Sequence, residues 1–233
     1  MAWQMKARTM SPATSTAAGP SVKGVAASAA QSGRVSNALK EFLWLLSDIP
    51  KAKILDMGQV SQDTLNFFIE KGFRVTTEDF LRSWREFMDA EESRLRAGKT
   101  GGDADFERPS AVALADRFLE DLLKYPPASF NGILAWDLFD YMEPEMLARV
   151  VARLHDILRP GGVVLAIFHS RTPDRFCRYR VLPDQTFEQL PLPPIAQHVH
   201  IFQNREMLDL FAKFRTSKTF VGRDQLREGL FLK

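Results

Sequence analysis

Leu158-Arg-Pro-Gly-Gly-Val-Val-Leu-Ala-Ile-Phe168 is the stretch that decides the fold. Pro160-Gly161-Gly162 turns the chain, and the run from Val163 to Phe168 is unbroken in its apolar character. A strand of that kind suits a parallel sheet covered on both faces. Just upstream, Met146, Leu147, Val150, Val151, Leu154 and Leu158 fall at helical spacing, so the strand follows an amphipathic helix.

Working outward, the same alternation recurs. Leu39, Phe42, Leu43 and Leu46 predict a helix that Pro50 stops. Lys53 to Gly58 reads as a short buried strand running into a turn. Leu65, Phe68 and Ile69 mark a helix that Gly72 can close, and Phe73 to Thr77 reads as a second strand. A polar helix is expected from about Leu81 to Arg96, broken by Gly98 and Gly101-Gly102. Ala111, Leu114, Phe118, Leu119 and Leu122 form another helical face, and Asn131 to Trp136 a third strand. Near the end, Met207, Leu208 and Phe211 suggest a helix, followed by strands at Thr216 to Val221 and Leu226 to Leu232.

Alternating strands and helices predict an α/β fold. It is Rossmann-like and doubly wound, a three-layer α/β/α arrangement with a mostly parallel sheet and a C-terminal antiparallel strand pair. Residues 37–233 make this domain, and residues 1–36 read as a disordered tail. The tail is rich in Ala, Ser, Thr and Gly, and no acidic residue precedes Glu41. Those features also fit an organelle transit segment. Cys177 is the only cysteine, which excludes an internal disulfide framework and suits a reducing, cytoplasmic setting. A net charge of +2 gives no reason to expect nucleic acid, and no apolar run approaches the roughly 20 residues of a membrane helix.

Three segments carry a resemblance. Ile54-Leu-Asp-Met-Gly58 resembles the first motif of class I S-adenosylmethionine-dependent methyltransferases. Phe130-Asn-Gly-Ile-Leu-Ala-Trp-Asp-Leu-Phe-Asp-Tyr-Met142 is similar to the segment around their fourth strand. Leu158-Arg-Pro-Gly-Gly-Val-Val-Leu165 is similar to the approach to their fifth. The resemblance covers residues 37–233 and implies S-adenosylmethionine as cofactor and a small-molecule methyl acceptor. It implies that Asp56, Gly58 and Gln59 lie near the methionine part, with Asp137 also against the cofactor. Two departures stand out. The family carries glycines where this chain has Val60 and Gln62, and β-branched residues resist positive φ. The family's third strand has no clear counterpart, so its adenine-contacting acid aligns only with Asp121.

Residue chemistry points to the same edge. Ligands of open α/β sheets bind outside the strand C-terminal ends. Asp79 lies 23 residues beyond Asp56, where an acid holds the ribose hydroxyls in dinucleotide folds, and Glu78 is the neighbouring alternative. Asp137 and Asp140 follow one strand and His169 the next, which makes them candidates for proton transfer, with Tyr141 beside them. Trp136 and Phe139 are candidates to line a pocket or to pack in the core. Arg171, Arg175, Arg178 and Arg180 form a basic cluster, read as a solvated segment or as a contact for an anionic substrate. His198 and His200 alternate on one face, but two histidines make a poor metal site, and no metal is expected. A methyltransferase is the first reading. A catalytically inactive scaffold of the same fold is the second, and a nicotinamide dehydrogenase, lacking a G-x-G-x-x-G turn, is the third.

Overall fold

The computed structural model describes residues 33–100, 109–195, 199–222 and 224–233. In chain order the elements are β1 (Arg34–Val35), α1 (Asn37–Leu46), β2 (Lys53–Asp56), α2 (Gln62–Glu70), β3 (Arg74–Thr77) and α3 (Phe80–Thr100). There follow α4 (Ala111–Leu122), β4 (Phe130–Trp136), a 3-10 turn (Leu138–Tyr141), α5 (Pro144–Ile157) and β5 (Leu158–His169). The chain continues with β6 (Cys177–Val181), β7 (Thr186–Pro191), α6 (Asn204–Leu210), β8 (Thr216–Val221) and β9 (Leu226–Leu232).

β5 is buried on both faces, and its period-2 alternation divides the core in two. Val163, Leu165 and Ile167 pack with Leu39 and Phe42 of α1 and Phe67 and Phe68 of α2. Val164, Ala166 and Phe168 pack with Phe118 of α4, Val150 and Leu154 of α5 and Met207 of α6. The main sheet has the order β3-β2-β4-β5-β9-β8. β3, β2, β4 and β5 are parallel neighbours, and β9 runs antiparallel to both β5 and β8. This is the three-layer, doubly wound α/β/α architecture, mostly parallel, with its terminal antiparallel pair. On the α1 face, a Cβ at Gly132 of β4 would lie 2.5 Å from the Phe42 ring, so the missing side chain lets α1 sit down on the sheet.

Among the described residues no strand lies between β3 and β4, and α3 and α4 fill that interval. α3 runs through Gly98 to Thr100, past the expected break. One glycine costs a helix only about 1 kcal/mol, which a 21-residue helix absorbs.

Two elements depart from the sequence expectation. Part of the basic stretch is built in: Arg178 and Arg180 lie on β6, which forms an antiparallel hairpin with β7, with β1 added to β7, while Arg171 and Arg175 are exposed as expected. Tyr179, Val181 and Phe187 of this small sheet are buried in the core shared with α1 and α2. Arg180 is not solvated either, since it pairs with Asp63 and Glu188. The expected tail also ends earlier than residue 36. Residues 1–32 of it lie outside the described residues, but Arg34 and Val35 are paired with Phe187 and Thr186. The physical cause is Glu228 of β9, which is 1% exposed and needs donors. Arg34 pairs with it, and the Ser36 hydroxyl (3.0 Å) and the Ala38 amide (2.9 Å) donate to its other oxygen. Ser36 in turn caps α1 by accepting from the Leu39 amide.

Removing one partner of a buried charge leaves the other uncompensated. Arg34→Ala is therefore expected to destabilise the domain by about 3 kcal/mol. Urea unfolding followed by circular dichroism checks it, and Arg34→Ala with Glu228→Gln together is expected to recover part of the loss.

Candidate ligand and catalytic site

The order in which strands join the sheet reverses between β2 and β4: β3 lies to one side of β2, and β4 and β5 to the other. Ligands of doubly wound sheets bind at this switch point. The segments leaving the strands there are Met57 to Ser61 after β2, Glu78-Asp79 after β3, Asp137 after β4 and His169 at the end of β5.

The loop after β2 does without the glycines. Neither Val60 nor Gln62 takes positive φ: Val60 lies exposed, and Gln62 is the first residue of α2. The loop has no left-handed residue to accommodate, so the β-branched side chain meets no strain there. Gly58 matters for space. A Cβ there would lie 2.6 Å from the Trp136 ring, so the indole lies directly on the loop backbone.

Asp56 is 2% exposed. Its Oδ1 accepts from the Trp136 indole (2.7 Å) and from the Gly58 amide (3.1 Å). Burial pushes its carboxyl up to about 6, against these two hydrogen bonds. Trp136 reaches this position through a left-handed backbone, φ 49°, at the last residue of β4. A bulky residue there is uncommon, and it aims the ring back over the loop after β2. The indole then stacks on Tyr179 of β6, ring centroids 5.3 Å apart and planes 2° from parallel.

Glu78 and Asp79 part company. Glu78 accepts a hydrogen bond from Tyr125. Asp79 pairs with Arg82 at 3.3 Å and lines a cavity with Gly58, Gln59 and Asp137. Met57, Leu81 and Leu138 supply its apolar wall, and Trp136, Cys177 and Tyr179 its far side. Asp121 is remote from this place, an exposed partner of Lys124.

The three proton-transfer candidates come together. Asp140 is fully buried, and its Oδ2 accepts from the His169 backbone amide (2.7 Å) and lies 2.8 Å from His169 Nδ1. That pairing fixes the ring and directs Nε2 toward Asp137, 3.9 Å away. Asp137 accepts from the Tyr179 hydroxyl at 3.1 Å. The Tyr141 hydroxyl is buried in the same group, beside Asp137, with no partner at hydrogen-bond geometry among the described residues. Burial pushes the Asp137 carboxyl up to about 7, helped by the charge of Asp140 and opposed by His169. Burial raises Asp140 too. For His169 burial works downward, but the Asp140 hydrogen bond and the two carboxylate charges prevail and raise it. Phe139, by contrast, is core, stacked on Phe168. His198 lies outside the described residues, and His200 stands beside Glu206 and Phe202.

Tyr179 was not singled out as a site residue from sequence, and the Trp136–Asp56 bond was not foreseen. The one available signal was a tyrosine embedded among arginines, which reads as surface.

The donor set fits the nucleoside half of S-adenosylmethionine: a partly exposed carboxylate at the end of β3, two loop residues after β2 and three apolar side chains around them. The space between Asp56 and Asp137, where a methionine half would lie, is filled by Trp136 and Tyr179. The cavity that remains holds about 30 Å³, room for about two waters, where sites for molecules of this size run to about 300 Å³ or more.

No family model matches the chain, and no curated protein matches it. Solved structures similar to it include the 1,6-didemethyltoxoflavin-N1-methyltransferase of Burkholderia thailandensis, with bound 1,6-didemethyltoxoflavin and S-adenosylhomocysteine. That likeness is 19% identical over 84% of this chain and 77% of that one, at a TM-score of 0.43. A SAM-dependent methyltransferase of Methanosarcina mazei is 14% identical over 86% of this chain and 100% of its own, TM-score 0.46. An S-adenosylmethionine-dependent methyltransferase of Mesorhizobium loti is 17% identical over 83% and 94%, TM-score 0.45.

The raised carboxyls set a pH dependence. Asp137 and Asp56 hold protons in the folded chain that the unfolded chain, with ordinary values of 3.8, has released. Stability therefore falls as pH rises from about 4 toward 7. His169 acts in the same direction, its contribution being lost as pH rises through its elevated folded value. Asp137→Asn keeps an acceptor for Tyr179 and removes one of the raised carboxyls. Denaturation midpoints at pH 5 and pH 8 are expected to differ clearly in the wild type and distinctly less in the variant.

Proposed function

We propose that this chain is an S-adenosylmethionine-dependent methyltransferase acting on a small molecule. The observation that carries the reading is one cavity at the switch point, lined by Asp79 from β3, by Gly58 and Gln59 after β2 and by Asp137 after β4. In this reading Asp79 takes the ribose hydroxyls, two donors on two acceptor oxygens. The backbone after β2 faces the ligand, and Met57, Leu81 and Leu138 surround the adenine. S-adenosylmethionine supplies a methyl group activated by its sulfonium.

The chain's own part is alignment and proton handling. Asp137 stands nearest the cavity, where an acceptor hydroxyl or amine would be held. His169 takes the acceptor's proton through Asp137, and Asp140 acts as a positioning residue by fixing the imidazole. With Nδ1 committed to Asp140, Nε2 is the nitrogen left to receive a proton. No helix among the described residues is long and apolar enough to cross a membrane.

The second reading, a methyltransferase-like scaffold without catalysis, is favoured by one observation: Trp136 and Tyr179 together fill the methionine half.

Titration calorimetry with S-adenosylhomocysteine tests the first reading. Saturable binding is expected, weakened about tenfold or more by Asp79→Ala, the loss of a charged acceptor for two hydroxyls. The absence of heat at millimolar ligand for the wild type and for variants that enlarge the cavity would sink it. His169→Gln is expected to lower turnover about a hundredfold while leaving that affinity within a factor of about two.

A further inference from the structure

Tyr179 occupies a place that a ligand would need. Its ring covers the face of Trp136, and its hydroxyl donates to Asp137 Oδ2, on a residue that lines the cavity. Trp136 cannot yield easily, because its indole N–H is the main donor to the buried Asp56. Tyr179 is held differently. Its strand is anchored at the far end, where the Val181 amide donates to Thr64 (3.0 Å) and Arg180 to Asp63 (3.1 Å), both on α2. On the near side, Arg171 to Asp174 make no hydrogen bond or ion pair within the described residues. The chain on that side is joined to the sheet edge by the Ser170 amide on Gln225 (2.8 Å), by the Leu192 amide on the Phe176 carbonyl (2.9 Å) and by Phe176 against Tyr141. β6 is paired with β7 from Cys177 to Val181, so the part that can move is the Tyr179 side chain rather than the strand. The bond that Tyr179 gives Asp137 is also replaceable, since any ligand bringing a hydroxyl or ammonium donor satisfies the same buried carboxylate.

We propose that Tyr179 is a gate on this site. Stacked on Trp136 and bonded to Asp137, it closes the methionine half, and its side chain must swing away before an adenosyl ligand can seat fully. This rests on the methyltransferase reading and adds its control: apparent affinity is the intrinsic affinity scaled by the fraction of chains with the gate open. Tyr179 lines the same cavity as Asp79 and Leu81, but its stack and its bond lie on the Trp136 and Asp137 side of it.

The test compares S-adenosylhomocysteine with adenosine by calorimetry on the full chain. Tyr179→Ala is expected to bind S-adenosylhomocysteine about tenfold more tightly than the wild type, and adenosine within about twofold of it. Tyr179→Phe keeps the stack and loses only the bond to Asp137, so a gain of about threefold is expected. Thermal melts establish that each variant folds. Equal or weaker binding by Tyr179→Ala, with the wild type binding well, would overturn the gate and leave the methyltransferase reading standing. If neither ligand binds the wild type or either variant, the methyltransferase reading fails and the gate falls with it.

Discussion

Asp56, Asp137 and Asp140 are carboxylates buried at the C-terminal edge of one sheet, and each must find donors where water cannot reach. Their solutions shape the site. Asp56 takes the Trp136 indole, which draws the end of β4 into a left-handed turn and lays the ring on Gly58. Asp140 takes both the backbone amide and the ring of His169, which fixes the imidazole. Asp137 takes the Tyr179 hydroxyl, which ties a hairpin from a second sheet to the edge of the first. Loop, candidate base and cover are all consequences of satisfying three acids.

The same constraint explains how the chain manages without a glycine-rich loop. Glycines serve where backbone must turn left-handed or approach a ligand closely. Here the turn from β2 into α2 needs no left-handed residue, and Val60 faces solvent. Only Gly58 is retained for space, and what approaches it is the chain's own tryptophan. The strained residue has moved from the loop after β2 to the end of β4.

Much of this was legible in the sequence. The apolar run Val163 to Phe168 announced a strand buried on both faces, and it is the strand that divides the two cores. Helical spacing located α1, α4 and α5, and the residues after each strand located the acids. What stayed hidden was long-range. The hairpin alternates Tyr179 and Val181 with Arg178 and Arg180, and the partners of Arg180, Asp63 and Glu188, lie on α2 and β7, so the stretch reads as solvated. Arg34 looks like part of a featureless basic tail until Glu228, 194 residues away, is seen to require it. Glu78 and Asp79 are equivalent by spacing, and only the position of Tyr125 separates them. Periodicity reports which face of an element is buried, and says nothing of which buried acid meets which donor.

A crystal structure of the chain grown with S-adenosylhomocysteine tests the central claim most directly. The account predicts ribose hydroxyls on Asp79, the Asp56–Trp136 bond intact, and the Tyr179 ring displaced from Trp136 with its hydroxyl off Asp137. A ligand bound away from Asp79, or Tyr179 still stacked on Trp136 with the ligand fully seated, would contradict it.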